Sequence, residues 1–200
     1  KRFLTPRDRK YKTSSIVHSM LDCETEVGKV FIKSEDETAD FLDKYLLGDK
    51  YSLVKFDRKT SSADRIAVLN DKKNGFIRKK SALLEIKSRQ QKRITFERSF
   101  NNSYLISEHK ILSNIDYAKS WKIPFFVFVN LMNDDYILRI KVSDNDGNIV
   151  APHTIEKRQT QNTCNGGLKT DTVYLFDIVA PHAYFISKSK TISNFKINTM

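Results

Sequence analysis

The chain has 200 residues, 40% of them hydrophobic and 11% aromatic, and its 35 basic against 24 acidic residues leave a formal net charge of +11. That apolar and aromatic content excludes a disordered chain and suits one domain with a real core. The charge favours an anionic partner, most simply nucleic acid, over a merely soluble basic surface, and no apolar run reaches the roughly 18 residues of a membrane helix.

Residues 1–33 read as a basic arm, a short helix over 14–27 around Ile16, Val17, Met20 and Leu21, and Val30-Phe31-Ile32 as either a short strand or a lead-in to the next helix. Two distant cysteines, Cys23 and Cys164, read as free thiols of a reducing compartment. The expected location is therefore cytoplasmic, inside the host cell if the chain is viral. Ser34-Glu35-Asp36-Glu37 has the form of a capping box, with Ser34 as N-cap and Glu37 at the third helical position. The helix runs to Leu47 and stops at Gly48, with Ala39, Phe41, Leu42, Tyr45 and Leu46 as its apolar residues. At about 100° per residue, Glu35 falls within about 35° of the centre of that face and Glu37 about 125° away. Glu37 therefore caps, while Glu35 points along the buried side.

Tyr51–Lys55 alternates as a first strand, 57–62 is a polar loop and 64–69 a second strand. Asn74-Gly75 makes a tight turn, and 81–88 a third, central strand. Ser103 caps a second helix through Trp121, with Leu105, Ile111, Leu112, Ile115 and Ala118 on its core stripe. Phe125–Val129 is a continuous apolar run, the mark of a strand buried on both faces. Strand 81–87, helix 103–121 and strand 125–130 form a right-handed crossover with parallel strands. The remainder is antiparallel: Tyr136–Val142, His153–Arg158, Thr172–Ile178 and Tyr184–Ser187, with a glycine loop at 165–167. Asp144–Asn148 is similar to the start of a calcium loop, but Ile155 stands where the twelfth-position glutamate belongs, so it reads as a hairpin turn.

The chemistry is concentrated in Asp64, at the head of the second strand, and Glu85-Ile86-Lys87 on the third. Strand side chains alternate faces, so Glu85 and Lys87 point the same way, and the hairpin brings Asp64 beside them. Two carboxylates and an ammonium on one patch can hold a divalent cation and manage a proton. The alternative for Glu85 and Lys87 is a surface ion pair at a strand end.

Asp64 followed by Glu85-x-Lys87 resembles the signature of the PD-(D/E)XK nuclease superfamily, which includes restriction enzymes, Holliday-junction resolvases and phage or transposon nucleases. Ala63 stands where the family's name has proline. The resemblance implies a restriction-endonuclease-like α/β fold, a mixed β-sheet flanked by helices. Its αβββαβ core would cover 34–131, with a β-rich C-terminal extension of the same domain over 132–200. It implies Mg²⁺ or Mn²⁺ on Asp64, Glu85 and the backbone carbonyl of Ile86, with Lys87 orienting or deprotonating the attacking water. Glu35 becomes the candidate for a further helix acid, against a solvated first-turn acid favoured by the dipole. Lys110 becomes a phosphate clamp, against a plain solvated lysine. The implied function is a metal-dependent DNA endonuclease; an RNA endonuclease with the same centre and a non-catalytic nucleic-acid-binding protein are the rivals. Arg65, Arg89, Lys92 and Arg93 are the expected phosphate contacts. One such site cuts one strand, so double-strand cleavage would require a homodimer.

Overall fold

In a computed structural model the protein is described over residues 25–56, 63–70, 79–161 and 168–198. The expected arm and most of the 14–27 helix, the loop at 57–62, the Asn74-Gly75 turn and the glycine loop at 165–167 lie outside these residues. The first helix, α1 (Glu26–Phe41), begins eight residues before the capping-box position at Ser34. Its N-cap is Thr25, with extended backbone and a side-chain oxygen accepting from the Gly28 amide at 3.0 Å. Val30–Ile32 is helical. Ser34 lies mid-helix and buried, where its hydroxyl bonds Ser88 Oγ at 2.8 Å and accepts from Asn130 Nδ2 at 3.0 Å. A tertiary partner thus replaces the capping role that the local pattern suggested. Gly28, Ser34, Thr38 and Ala39 make a small buried side that lets α1 lie close to the strands beneath it, while Leu46 is exposed. Over Leu42–Leu47 the helix widens to a π turn, and Gly48, at φ 56°, ends it as expected. Thr25→Ala should cost about 1 kcal/mol of stability, the worth of an N-cap. Glu37→Gln should cost a small fraction of that, since Glu37 only faces Lys33 at 3.8 Å on the exposed side. Chemical unfolding of the two variants checks this; equal losses would restore Glu37 as the cap.

β1 (Tyr51–Lys55), β2 (Arg65–Leu69) and β3 (Lys79–Arg89) form an antiparallel meander. The chain then inserts α2 (Arg93–Ser99) and β4 (Ser103–Ser107) before α3 (Glu108–Trp121) and β5 (Phe125–Leu131). Ser103 therefore starts a strand, not a helix. Tyr104 and Ile106 are buried between less buried neighbours, a period of two, and β4 pairs with a strand far downstream. Leu112 is exposed, off the buried Ile111–Ile115–Ala118 stripe of α3. β5 runs parallel to β3, in register Glu85↔Val127 and Lys87↔Val129. Its burial alternates: Phe125, Val127, Val129 and Leu131 are fully buried, whereas Phe126 and Phe128 are half-buried.

β6 (Tyr136–Ser143) and β9 (Ala183–Ser187) complete a six-stranded sheet ordered β1-β2-β3-β5-β6-β9. β7 (His153–Gln161) and β8 (Leu168–Asp177) join β4 in a second, three-stranded sheet. The C-terminal residues thus build both sheets. One core lies on the α3 side, including Leu83, Ile111, Phe125, Val127 and Phe176; a smaller one lies under α1, with Ala39, Leu42, Ala67, Leu84 and Ile86. The turn after β6 is organised by Asp144, which accepts from the Asp146 and Asn148 amides.

The last helix, α4 (Lys188–Asn198), was not anticipated. Asp135 holds its start, accepting from Ser187 Oγ at 2.6 Å, Ser189 Oγ at 2.7 Å and the Ser189 amide at 3.0 Å. The Ser187 bond first, then those of Ser189, hold this carboxyl below its ordinary value against the opposing effect of burial. A depressed folded pKa contributes stability above the unfolded value of about 3.9 and loses it as pH falls through the folded value. Protection of the α4 amides, measured against the intrinsic exchange rate at each pH, should therefore fall selectively below about pH 4, and Asp135→Asn should remove that dependence. Wild-type protection in α4 that does not fall there would refute the role of Asp135.

Candidate active site

The site forms where β2 stops covering β3. Arg65↔Leu84 is the last pair of the β2–β3 ladder, and the Asp64 amide donates to Leu84 O at 3.2 Å. Beyond it, the Asp64 carboxylate takes over from the missing strand: its Oδ2 accepts from the Ile86 amide at 2.8 Å. The Ile86 carbonyl lies on this same edge, which no other described strand covers, and accepts from Lys87 Nζ at 3.2 Å. A ladder that ends in a carboxylate leaves a backbone oxygen and a side-chain oxygen side by side.

Lys87 Nζ is the hub. It lies 2.8 Å from Glu85 Oε1, 3.4 Å from Asp64 Oδ2 and 4.0 Å from Glu35 Oε1. Glu35 comes from α1, on the other face of the sheet, and reaches the hub through the gap left by β2. Lys110, in the first turn of α3, donates to the same Glu85 oxygen at 2.9 Å. Burial acts first on Lys87, pulling its pKa down, but the charges of Glu85, Asp64 and Glu35 outweigh it and hold the ammonium above its ordinary range.

Glu85 is 1% exposed and sits in the core face beside Val127. Its Oε2 is buried and has no hydrogen-bond partner among the described residues. An uncompensated buried carboxylate oxygen is costly, so the position calls for a cationic or protic occupant. Among the described residues no group of three or more His, Cys, Asp or Glu side chains is placed to hold a metal ion by itself. The donor set nevertheless suits a hard divalent cation: carboxylate oxygens of Asp64 and Glu85 and the Ile86 carbonyl, with waters to complete six ligands.

The structure thus brings together Asp64, Glu85, Ile86, Lys87, Glu35 and Lys110. It does not bring Arg65. That side chain is 8% exposed, donates to Asp64 O at 2.9 Å and pairs with Asp36, so it is an internal strut and not a phosphate contact. Asp36, also bonded to Lys55 at 2.9 Å, ties α1 to β1 and β2. Lys92 is exposed ahead of α2. Arg93 is exposed but engaged, 3.0 Å from Glu97 and over the Tyr136 and Phe185 rings. Arg89 lies over the Tyr104 ring and donates to Ser88 O at 2.9 Å.

Ser88 and Asn130, to which the sequence assigned no role, and Ser34, expected there as a helix cap, brace the site. Ser88 follows Lys87, Ser34 precedes Glu35, and Asn130 bonds Ser34; Lys188 Nζ reaches Asn130 Oδ1 at 3.2 Å. This buried polar chain fixes α1 against β3 and so sets where Glu35 falls. The available signal was a serine and an asparagine at the ends of otherwise apolar strands.

The fold and site define a mixed α/β protein whose mixed sheet is flanked by helices and carries three carboxylates around one lysine. No family model matches the chain, and no curated protein or solved structure matches it. Among the described residues no helix is long and apolar enough to cross a membrane.

Proposed function

We propose that the protein is a metal-dependent nuclease of the PD-(D/E)XK type, hydrolysing phosphodiester bonds, with DNA as its substrate. The observation that carries this reading is the convergence of Asp64, Glu85 and Glu35 on Lys87 at the end of the β2 ladder, with the Glu85 Oε2 atom left without a hydrogen-bond partner among the described residues. Asp64, Glu85 and the Ile86 carbonyl would hold Mg²⁺ or Mn²⁺, which supplies positive charge to a phosphate oxygen and acidity to a water. Lys87, held charged by its neighbours, orients the attacking water and offsets charge on the phosphate. Glu35, 4.0 Å from Lys87 Nζ, would be the carboxylate that accepts the water's proton. Lys110 steadies Glu85 and offers its remaining hydrogens toward the phosphate.

The deciding experiment is cleavage of linear, branched and single-stranded DNA and RNA with Mg²⁺ or Mn²⁺, with and without chelator. Chelator-sensitive cutting of DNA supports the reading; cutting of RNA alone would move the substrate. Binding without any cutting would leave the non-catalytic alternative, in which the lysines simply neutralise the acids.

Binding should be strongly salt-dependent, given the +11 charge. On duplex DNA log K should fall against log salt with a slope of about −0.9 per neutralised phosphate. Lys92→Ala should flatten the slope by roughly one unit. Arg65→Met should lower stability and leave the slope alone. A shallower slope in Arg65→Met would reinstate Arg65 as a phosphate contact.

A further inference from the structure

A cavity of about 410 Å³ opens between the α2–β4 turn and the exposed face of β7 and β8, with Arg89, two residues beyond Lys87, on its wall. It begins where the active-site face of β3 ends. Glu85, Lys87 and Arg89 share one face by strand alternation, and Arg89 lines the cavity. Its volume falls in the roughly 300–1,000 Å³ range of small-ligand sites. In a chain of +11 charge the cavity is balanced: Arg89 and Arg158 are matched by Glu156 and Asp177, and Arg158 Nε pairs with Glu156 at 2.8 Å. A pocket for a phosphate would not be neutralised in this way.

Its other walls are aromatic and amide. Phe100, at the end of α2, lines the cavity and is 41% exposed, so a ring face is open to a ligand. Phe96 packs behind it at 5.8 Å between ring centroids. Asn101 and Asn102, at φ 48° and 53°, turn the chain sharply after Phe100. Asn102 is pinned by Phe96 O and Ile178 O, both at 2.9 Å, so the rim is preformed. Tyr104 also lines the cavity; it is 4% exposed, and its hydroxyl is buried with no hydrogen-bond partner among the described residues. Gln91 and Asn101 add amide donors and acceptors.

Aromatic stacking, paired donors and acceptors and no net charge suit a heterocyclic base, not its phosphate. We propose that this cavity receives one unpaired nucleobase of the substrate strand, stacked on Phe100, while the adjoining backbone runs past Arg89 to Lys87. The inference rests on the nuclease reading and narrows its substrate to nucleic acid with an unstacked or extrahelical nucleotide.

The test is binding in chelator, so that no cleavage occurs. The probes are a perfect DNA duplex and the same duplex with one bulged 2-aminopurine. Wild type should bind the bulged duplex about tenfold more tightly, the scale of one stacked base, and should quench the 2-aminopurine. Phe100→Ala should abolish the preference and the quenching, Tyr104→Phe should reduce the preference, and Val30→Ala, on exposed α1 surface, should keep both. Circular dichroism establishes that each variant is folded. Equal affinity of wild type for the two duplexes, or a preference that survives Phe100→Ala, overturns the proposal. So does saturable binding of free adenosine monophosphate without any preference for the bulge, which would make the cavity a soluble-nucleotide site. Metal-dependent cleavage is measured separately, so a preference without cleavage refutes only the nuclease reading, and cleavage without a preference refutes only this one.

Discussion

Glu85→Gln and Asp64→Asn should each lower metal-dependent cleavage by about 10²–10³-fold, the scale of removing one preorganised charge contact from a transition state. Both should stay folded, for reasons visible in the site. Asn at position 64 still offers an oxygen to the Ile86 amide, which the aspartate accepts from at 2.8 Å. Gln at position 85 keeps the volume of a side chain buried beside Val127, and Lys87 retains Asp64 and Glu35. Cleavage rates at saturating Mn²⁺, with Mn²⁺ titration calorimetry, are the measurement. Wild-type cleavage in either variant would sink the metal assignment.

The second large effect is on stability. Lys87→Met keeps the aliphatic stem but strips the ammonium from three carboxylates. Removing one partner of a buried ion pair typically costs about 3–5 kcal/mol, because the other charge stays behind uncompensated. Lys110 mitigates this at Glu85 only, through its bond of 2.9 Å. The vacated centre should then favour a divalent cation. Millimolar Mg²⁺ or Ca²⁺ should raise the midpoint of Lys87→Met more than that of wild type, by the usual binding linkage. An undiminished midpoint, or one indifferent to divalent cations, would show that the ammonium does not hold this cluster together.

The carboxylate cluster was legible because it depends on short-range rules. Alternation put Glu85 and Lys87 on one face, and helical phase separated Glu35, now 4.0 Å from Lys87, from Glu37 on the exposed side. The elements that sequence misplaced depend on distant partners. Ser34 looks like a cap until Ser88 and Asn130 are beside it. Ser103–Ser107 can join a helical stripe until β8 pairs with it. Arg65 reads as a surface cation until Asp36, on another element, draws it inside. In each case one residue's local preference is weak, and a contact from far along the chain decides.

The stretch of β3 that no other described strand covers has a colloidal consequence as well. An open strand edge invites another strand to add to it. Here the two outward carbonyls are already taken from within: Ile86 O by Lys87 at 3.2 Å and Ser88 O by Arg89 at 2.9 Å. The outward amide of Ile86 is occupied by Asp64. A second molecule seeking to extend the sheet at this edge meets charged side chains folded over the backbone. Self-association through this described edge is disfavoured, so copies of the chain would have to meet elsewhere.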